Sequence, residues 1–134
     1  MEVEFDFREE HSRLFGSILR PVARIILVND EKEFPEHVYV DSGADISLIP
    51  KSVGEALGFE IQKTDKIIEI KGVGERSVPV IIKKIKMKIG ERLLPNTRVA
   101  WALIEEVPLL LGREDVFGLF NICFKKNKKT TFTE

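Results

Sequence analysis

The residues best suited to chemistry lie in the run Asp41-Ser42-Gly43-Ala44-Asp45. The run comes directly after a short strand predicted at residues 37–40, so Asp41 can project from a tight turn into a cleft. Gly43 suits such a turn because glycine can adopt backbone conformations that other residues avoid. A carboxylate in this setting is a candidate for general acid–base work on a bound substrate. Asp-Ser-Gly also occurs in plain turns, where the aspartate bonds its own backbone, so the run alone leaves both interpretations open.

Three further features follow in a fixed order along the chain. Residues 46–50 read Ile-Ser-Leu-Ile-Pro, residues 71–74 read Lys-Gly-Val-Gly between two predicted strands, and residues 110–113 read Leu-Leu-Gly-Arg. With these features in this order, the sequence resembles the retropepsin-like aspartic protease family over roughly residues 38–124. The resemblance implies a mostly β fold: a retropepsin-like acid protease β-barrel with one or two short helices and a flap hairpin, active as a C2 homodimer.

The resemblance assigns roles to the residues of the loop at positions 41–44. Asp41 would be the catalytic carboxylate, and Ser42 would hydrogen-bond across the dimer axis beneath it. Gly43 would leave room for a water molecule, and Ala44 would complete the loop. Two carboxylates about 3 Å apart share one proton and titrate as a unit, an effect for which aspartic proteases are the standard example. Such a pair can both activate water and protonate the leaving amine.

The resemblance also assigns substrate contacts beyond this loop. Asp45 would contact the substrate backbone and pair with Arg113, although an ion pair that only braces the loop is equally compatible with these two residues. Gly72, Val73 and Gly74 would form the tip of the flap and let it bend over the substrate. A charged Glu-Arg pair at positions 75 and 76 departs from the family pattern, which leaves the substrate preference open.

A single Asp-Ser-Gly occurs in the 134 residues, which suffice for one compact domain but not for two full lobes. The other aspartates stand in no comparable setting. The second carboxylate must therefore be Asp41 of another chain, and a C2 axis through the pair makes a homodimer obligatory for activity. The expected partners are a second copy and a peptide or protein substrate. The apolar alternation of Phe120, Ile122 and Phe124 fits a strand at the dimer interface.

Hydrophobic periodicity along the chain is mostly two rather than 3.6, which predicts strands. Val3, Phe5 and Phe7 alternate in a half-buried strand, and Pro21 interrupts an extended segment over residues 17–28. A short helix is predicted after Pro50, at residues 51–57. A phase change near residue 83 predicts a bulge or a strand that passes between two surfaces, and residues 97–104 should form another strand. Residues 1–134 thus form one domain of closed or packed sheets, with residues 1–30 as an N-terminal strand extension.

Composition excludes several classes of partner. Lysine and arginine total 21 against 22 for aspartate and glutamate, so no overall field steers the chain to nucleic acid or to a membrane. The basic run at residues 125–129 is interpreted as a solvated tail or a turn between strands. The apolar stretches are far shorter than a membrane span, and the acidic start is wrong for a signal peptide, so a cytoplasmic protein is expected.

Neither cysteine nor histidine indicates a metal or cofactor site. Cys123 is the only cysteine, and its apolar neighbours predict a thiol packed in the core. His11 and His37 have no second ligand at metal-binding spacing and are predicted to be surface or partly buried side chains. Trp101 lies inside an alternating apolar pattern and is predicted to be a core residue.

Two alternatives to an endopeptidase are compatible with the sequence. A retropepsin-like domain could be catalytically silent or narrowly specific and act as a peptide-binding module with an extended groove. A structural β-barrel could use its glycines only for turns. The retention of Asp41, Ser42 and Gly43 together favours the enzyme, because a binding groove needs none of those side chains.

Overall fold

The computed structural model describes residues 1–72 and 76–134 of the chain, which are mostly β structure. One α-helix, α1, spans Lys51–Ala56, and a 3₁₀ turn spans Phe117–Leu119. The strands are β1 Glu2–Asp6, β2 Arg8–Ser12, β3 Gly16–Arg20, β4 Val22–Asn29, β5 Lys32–Val40, β6 Ser47–Ile49, β7 Ile68–Lys71, β8 Ser77–Ile89, β9 Arg92–Ala102, β10 Leu110–Leu111, β11 Asn121–Lys125 and β12 Lys129–Thr133.

Six of these strands close into a barrel. Their order is β4-β5-β10-β6-β9-β8, and β8 pairs back with β4 to complete the circle. Most pairs are antiparallel, but β10 runs parallel to β5 and β6 runs parallel to β9. Closure removes the exposed edges that an open sheet would present. The predicted mostly β barrel with short helices is therefore confirmed.

The apolar side chains divide into two packed clusters. The main core lies between the barrel strands and α1, and it includes Trp101, which is 2% exposed and packs edge-on against Phe59. The second cluster is smaller and is built around Leu48, Val80 and Ala100. Trp101 is thus a core residue, as predicted.

The two faces of strand β8 pack against different clusters. Val80 packs in the second cluster, whereas Ile81, Ile85 and Met87, which share the opposite face, pack in the main core. Pairing with β9 stays in register at Lys83 and shifts only between Ile85 and Met87, where one residue of β8 faces two of β9. The predicted passage between two surfaces is wrong, because the face that carries Ile81 stays against the main core on both sides of Lys83. The apolar phase changes because the opposite face is covered only around Val80, and the bulge lies beyond the predicted position.

Two strands begin earlier than their patterns predicted. β5 begins at Lys32 rather than at His37, and β9 begins at Arg92 and ends at Ala102 rather than covering residues 97–104. The early part of β5 is polar and contains Pro35, but it pairs with β4 along its whole length. Cross-strand pairing outweighs local propensity in both strands.

The two ends of the chain form a separate three-stranded sheet in the order β1-β12-β11. A turn with positive φ at Lys126 and Asn127 joins β11 to β12, so the basic run is a turn between strands, as predicted. Cys123 is exposed, which corrects its predicted burial. Cys123 lies on an edge strand of which only one face is covered. Ile122 lies on the covered face, and the Cys123 thiol lies on the other face.

Between β1 and the barrel, β2 and β3 form a hairpin that pairs with no other strand of the described residues. Pro21 separates β3 from β4, in agreement with the predicted interruption. Residues 22–29 of the predicted N-terminal extension belong to the barrel as β4, so β1 to β3 are the strands that precede it. The helix α1 follows Pro50 and ends before Gly58, which has a φ of +82°.

Candidate active site

Asp41 lies immediately after β5, at the start of a turn fixed by backbone hydrogen bonds. Its own N–H donates to the carbonyl of Leu111 at 3.0 Å, and its carbonyl accepts from the N–H of Ala44 at 3.2 Å. The N–H of Gly43 donates to Oδ1 of Asp41 at 2.9 Å. The half-buried carboxylate is therefore held in one orientation by the loop that carries it.

Gly43 is needed for space next to the carboxylate and not for its backbone angles. A Cβ at Gly43 would stand 3.2 Å from Oδ1 of Asp41, closer than ordinary contacts allow. Its φ is not positive, unlike that of Gly58 or Gly90, so the unusual conformation predicted from the sequence is absent at this residue. A larger residue would press on the carboxylate and disturb its hydrogen bond.

A second segment, residues 111–114, holds the other end of the loop. The N–H of Arg113 donates to the carbonyl of Ala44 at 3.0 Å, and the N–H of Glu114 donates to that of Asp45 at 2.8 Å. The N–H of Gly112 donates to the buried hydroxyl of Ser47 at 3.0 Å. These bonds join two segments about 70 residues apart, so the position of Asp41 depends on both.

The side chains of Asp45 and Arg113 form the ion pair that the resemblance implied. Nη2 of Arg113 lies 2.7 Å from Oδ1 of Asp45, and the two side chains are 57% and 83% exposed, respectively. An ion pair so open to water contributes little stability, typically ~0–1 kcal/mol. The backbone bonds between the two segments therefore fix the loop, and the Asp45 carboxylate stays accessible from solvent.

Asp115 anchors the turn after Arg113 to the barrel, a role that its local sequence does not signal. Its carboxylate accepts from Nε of Arg98 at 2.8 Å, from Nη2 at 3.0 Å and from the Arg98 backbone N–H at 2.9 Å. The hydrogen bonds from the Arg98 side chain, more than any other contact, lower the pKa of Asp115 to about 2. This carboxylate links β9 to the segment that holds the Asp41 loop.

Asp115→Asn is expected to reduce stability near neutral pH and to leave it unchanged in strong acid. Asparagine tolerates the φ of +66° at this position, so the change removes charge and not backbone fit. A lowered pKa means that Asp115 stabilises the fold above about pH 4 and ceases to do so as pH falls through about 2. Because Arg98 is 46% exposed, the loss at neutral pH should be about 1 kcal/mol.

Denaturant unfolding of wild type and Asp115→Asn at several pH values measures this difference. The two curves should converge as the pH approaches 2. Curves that stay equally far apart at every pH would show that Asp115 acts through packing and not through its charge.

The structure brings most of the predicted site residues together, but not all of them can be located. Asp41, Ser42, Gly43, Ala44 and Asp45 form one continuous loop, and Arg113 lies against it. The flap positions are a different case. Gly72 follows β7, where its N–H donates to the carbonyl of residue 76 at 3.3 Å, whereas positions 73 and 74 (Val-Gly) lie outside the described residues.

A cavity of about 490 Å³ opens beside Asp41. Val40 and Leu110 of the barrel contribute apolar wall, and Glu10 and Arg20 of the β2–β3 hairpin complete it. Its volume lies in the range of ligand pockets, ~300–1,000 Å³. The sequence offered no signal for Glu10 or Arg20, because each belongs to a segment far from Asp41 in the chain.

Neither a metal centre nor a membrane segment is found in the described ranges. Across residues 1–72 and 76–134, His, Cys, Asp and Glu form no group of three or more that could hold a metal ion. No helix in the same ranges has the length and apolar character needed to cross a membrane.

Comparison with known proteins gives matches in structure alone. No protein-family model matches the sequence, and no curated protein matches it. The fold resembles that of EIAV protease in complex with the inhibitor HBY-793, with a TM-score of 0.58 and 26% identity over 75% of this chain and 88% of that chain. It also resembles a retropepsin-like aspartic protease from Rickettsia conorii, with a TM-score of 0.67 and 15% identity over 98% of this chain and 91% of that chain.

These two likenesses define the class of fold. The chain has a retropepsin-like fold, as the motifs in its sequence implied. The match to the Rickettsia protein takes in nearly the whole chain, including the strands before the barrel.

Proposed function

We propose that this protein is an aspartic endopeptidase whose active site forms when two copies bring their Asp41 side chains together. The observation that carries the proposal is the position of Asp41. Its carboxylate is oriented by Gly43, fixed by the backbone of residues 111–114 and adjacent to a cavity, within a retropepsin-like barrel. No other aspartate of the described residues combines these features.

The reaction would be a direct attack of water on the peptide carbonyl, without a covalent intermediate or a cofactor. One Asp41 carboxylate takes a proton from the water as its oxygen bonds to the carbonyl carbon. The other, protonated Asp41 donates a hydrogen bond to the carbonyl oxygen that becomes negative. A proton then passes to the amide nitrogen, the carbon–nitrogen bond breaks, and an acid and an amine leave.

The remaining loop residues would support this pair. Ser42 would bond across the dimer axis, and Gly43 would leave the space that the water and both carboxylates need. Asp45 is suited to bind the substrate backbone because its carboxylate is exposed while Arg113 holds one of its oxygens. The hairpin tip at residues 72–74 would close over the peptide.

The dimer would use the terminal sheet as part of its interface. Both β1 and β11 are edge strands of that sheet, so their outer backbone groups are free to pair with another chain. Phe124 on β11 is 43% exposed, a large apolar surface that a second copy could cover. A peptide or protein substrate would lie extended between the two copies.

Dilution tests the proposal because the active site needs two chains. Cleavage of an unfolded casein, assayed from about pH 3 to about pH 8, should be maximal on the acidic side of neutral, as a shared proton requires. At low concentration the rate should rise with about the second power of protein concentration, and with the first power once the dimer is saturated. Sedimentation under the same conditions gives the dissociation constant independently.

Two results would contradict the proposal in different ways. A rate per chain that stays constant down to concentrations where the protein sediments as a monomer would exclude the shared site. A confirmed dimer with no turnover at any pH would favour the peptide-binding module.

A further inference from the structure

The cavity beside Asp41 has one wall that the barrel does not supply. Glu10 of β2 and Arg20 at the end of β3 line this cavity together with Asp41. The hairpin that carries them pairs with no barrel strand, so side-chain contacts must hold it in place. This wall is therefore a feature of the segment that precedes the barrel.

Glu10 makes the contacts that attach the hairpin to the site. The hydroxyl of Tyr39 donates to its carboxylate, 2.7 Å from Oε2 and 2.8 Å from Oε1. Tyr39 stands two residues before Asp41 and pairs with both β4 and β10. The Glu10–Tyr39 bond thus connects the hairpin to the strand that delivers the catalytic loop.

Two arginines surround the same carboxylate. Arg8 lies 2.9 Å from Oε2 of Glu10 and also sits over the ring of Tyr39 at 5.3 Å. Arg20 lies 3.2 Å from Oε1 and itself lines the cavity. The Tyr39 hydrogen bond, assisted by the arginines, lowers the pKa of Glu10, so the carboxylate is ionised. Arg8 does not line the cavity itself, but together with Arg20 it gives the cluster around Glu10 one positive charge in excess.

We propose that Glu10 and Arg20 form the polar end of a substrate pocket next to the scissile bond and set its charge preference. The inference rests on the proposed function. The pocket takes a large side chain against the apolar wall that includes Val40 and Leu110. At its polar end, the excess positive charge favours a neutral or acidic group over lysine or arginine. Glu10 moderates this preference, because it offsets part of the charge of Arg20.

Binding of uncleaved peptides tests the pocket separately from catalysis. Asp41→Asn serves as the background so that the peptides stay intact. In a C2 dimer two equivalent pockets flank the central bond, so both flanking positions of the peptide are varied together, as Glu, Gln or Lys. Fluorescence anisotropy of the labelled peptides gives a Kd for each, and the ratio between the Glu and Gln peptides reports the charge preference alone.

Opposite shifts are expected from the two charged residues of the wall. Glu10→Gln should shift the ratio of the two Kd values about fivefold in favour of the Glu peptide. Arg20→Gln should shift the same ratio about fivefold in favour of the Gln peptide, as expected for charges partly screened by solvent. Glu9→Gln changes the neighbouring residue on the same strand, which does not line this cavity, and should leave the ratio unchanged.

Each outcome separates the pocket from the proposed reaction. Ratios that do not move, or that move in the same direction for Glu10→Gln and Arg20→Gln, would overturn the pocket, as would a failure of all the peptides to bind. Protein with an intact Asp41 is assayed for cleavage of the same peptides. Opposite shifts without any cleavage would support the pocket and reject the endopeptidase. Cleavage with unchanged Kd ratios would support the endopeptidase and reject the pocket.

Discussion

Asp41→Asn is expected to abolish cleavage of unfolded protein, with a loss of about a thousandfold or more, because no carboxylate then remains to accept the proton of the attacking water. The fold and the dimer should persist. Asparagine has nearly the shape of aspartate, and its side-chain oxygen can accept the same hydrogen bond from Gly43. The measurement is the initial rate on denatured casein at equal concentrations of wild type and variant, with the dimer fraction determined by sedimentation.

Asp30→Asn is the matched control for this change. Asp30 lies in the turn between β4 and β5, and its φ of +53° is tolerated by asparagine. The Asp30→Asn variant should cleave casein at the wild-type rate. An inhibitor that resembles the tetrahedral diol should also bind wild type far more tightly than a plain peptide does. Normal cleavage by Asp41→Asn would show that the catalytic carboxylate lies elsewhere and would reject the proposed mechanism.

Gly112→Ala should have the largest effect on stability of any small substitution near the site. A Cβ at Gly112 would overlap the main chain of Ile46 and come within 2.8 Å of the backbone nitrogen of Ser47. Backbone cannot move aside as a flexible side chain can, so the segments that hold the Asp41 loop must separate. A loss of about 3 kcal/mol in unfolding free energy is expected. Activity should fall more than the folded fraction does, because the loop loses its fixed position.

Gly118→Ala provides the control, since a Cβ there would meet no atom within 4 Å. It makes the same chemical change six residues further along, in the 3₁₀ turn, and should alter stability by less than about 1 kcal/mol. Urea denaturation of both variants gives the comparison. If Gly112→Ala unfolds at the same urea concentration as Gly118→Ala, then the close approach of residues 112 and 46 is not a constraint on the fold.

Several parts of the fold were predictable because they depend on local chemistry. Pro21 cannot donate to a strand ladder, so the interruption between β3 and β4 could be read from one residue. Alternating apolar residues place one face of a strand in the core, which identified the environment of Trp101. The position of α1 after Pro50 followed from the spacing of a few apolar residues.

Other features failed local analysis because burial depends on neighbours that the local pattern does not specify. Cys123 has apolar neighbours in sequence, but its strand is the last in its sheet and its thiol faces outward. Gly43 was expected to need a special φ, whereas it is required by the closeness of a carboxylate oxygen. The early part of β5 reads as polar loop and becomes a strand only through its pairing with β4.

The sequence by itself determined the class of fold and the residue proposed for catalysis, because a strand period of two and the order of four short motifs are properties of the linear chain. The tertiary structure decided what surrounds that residue. Gly112 lies against Ile46, and Glu10 lies beside β5, the strand that ends just before Asp41, although each pair is far apart in sequence. Such contacts arise from chain reversals and strand pairing, so the wall of the pocket and the support of the loop became visible only in the folded molecule.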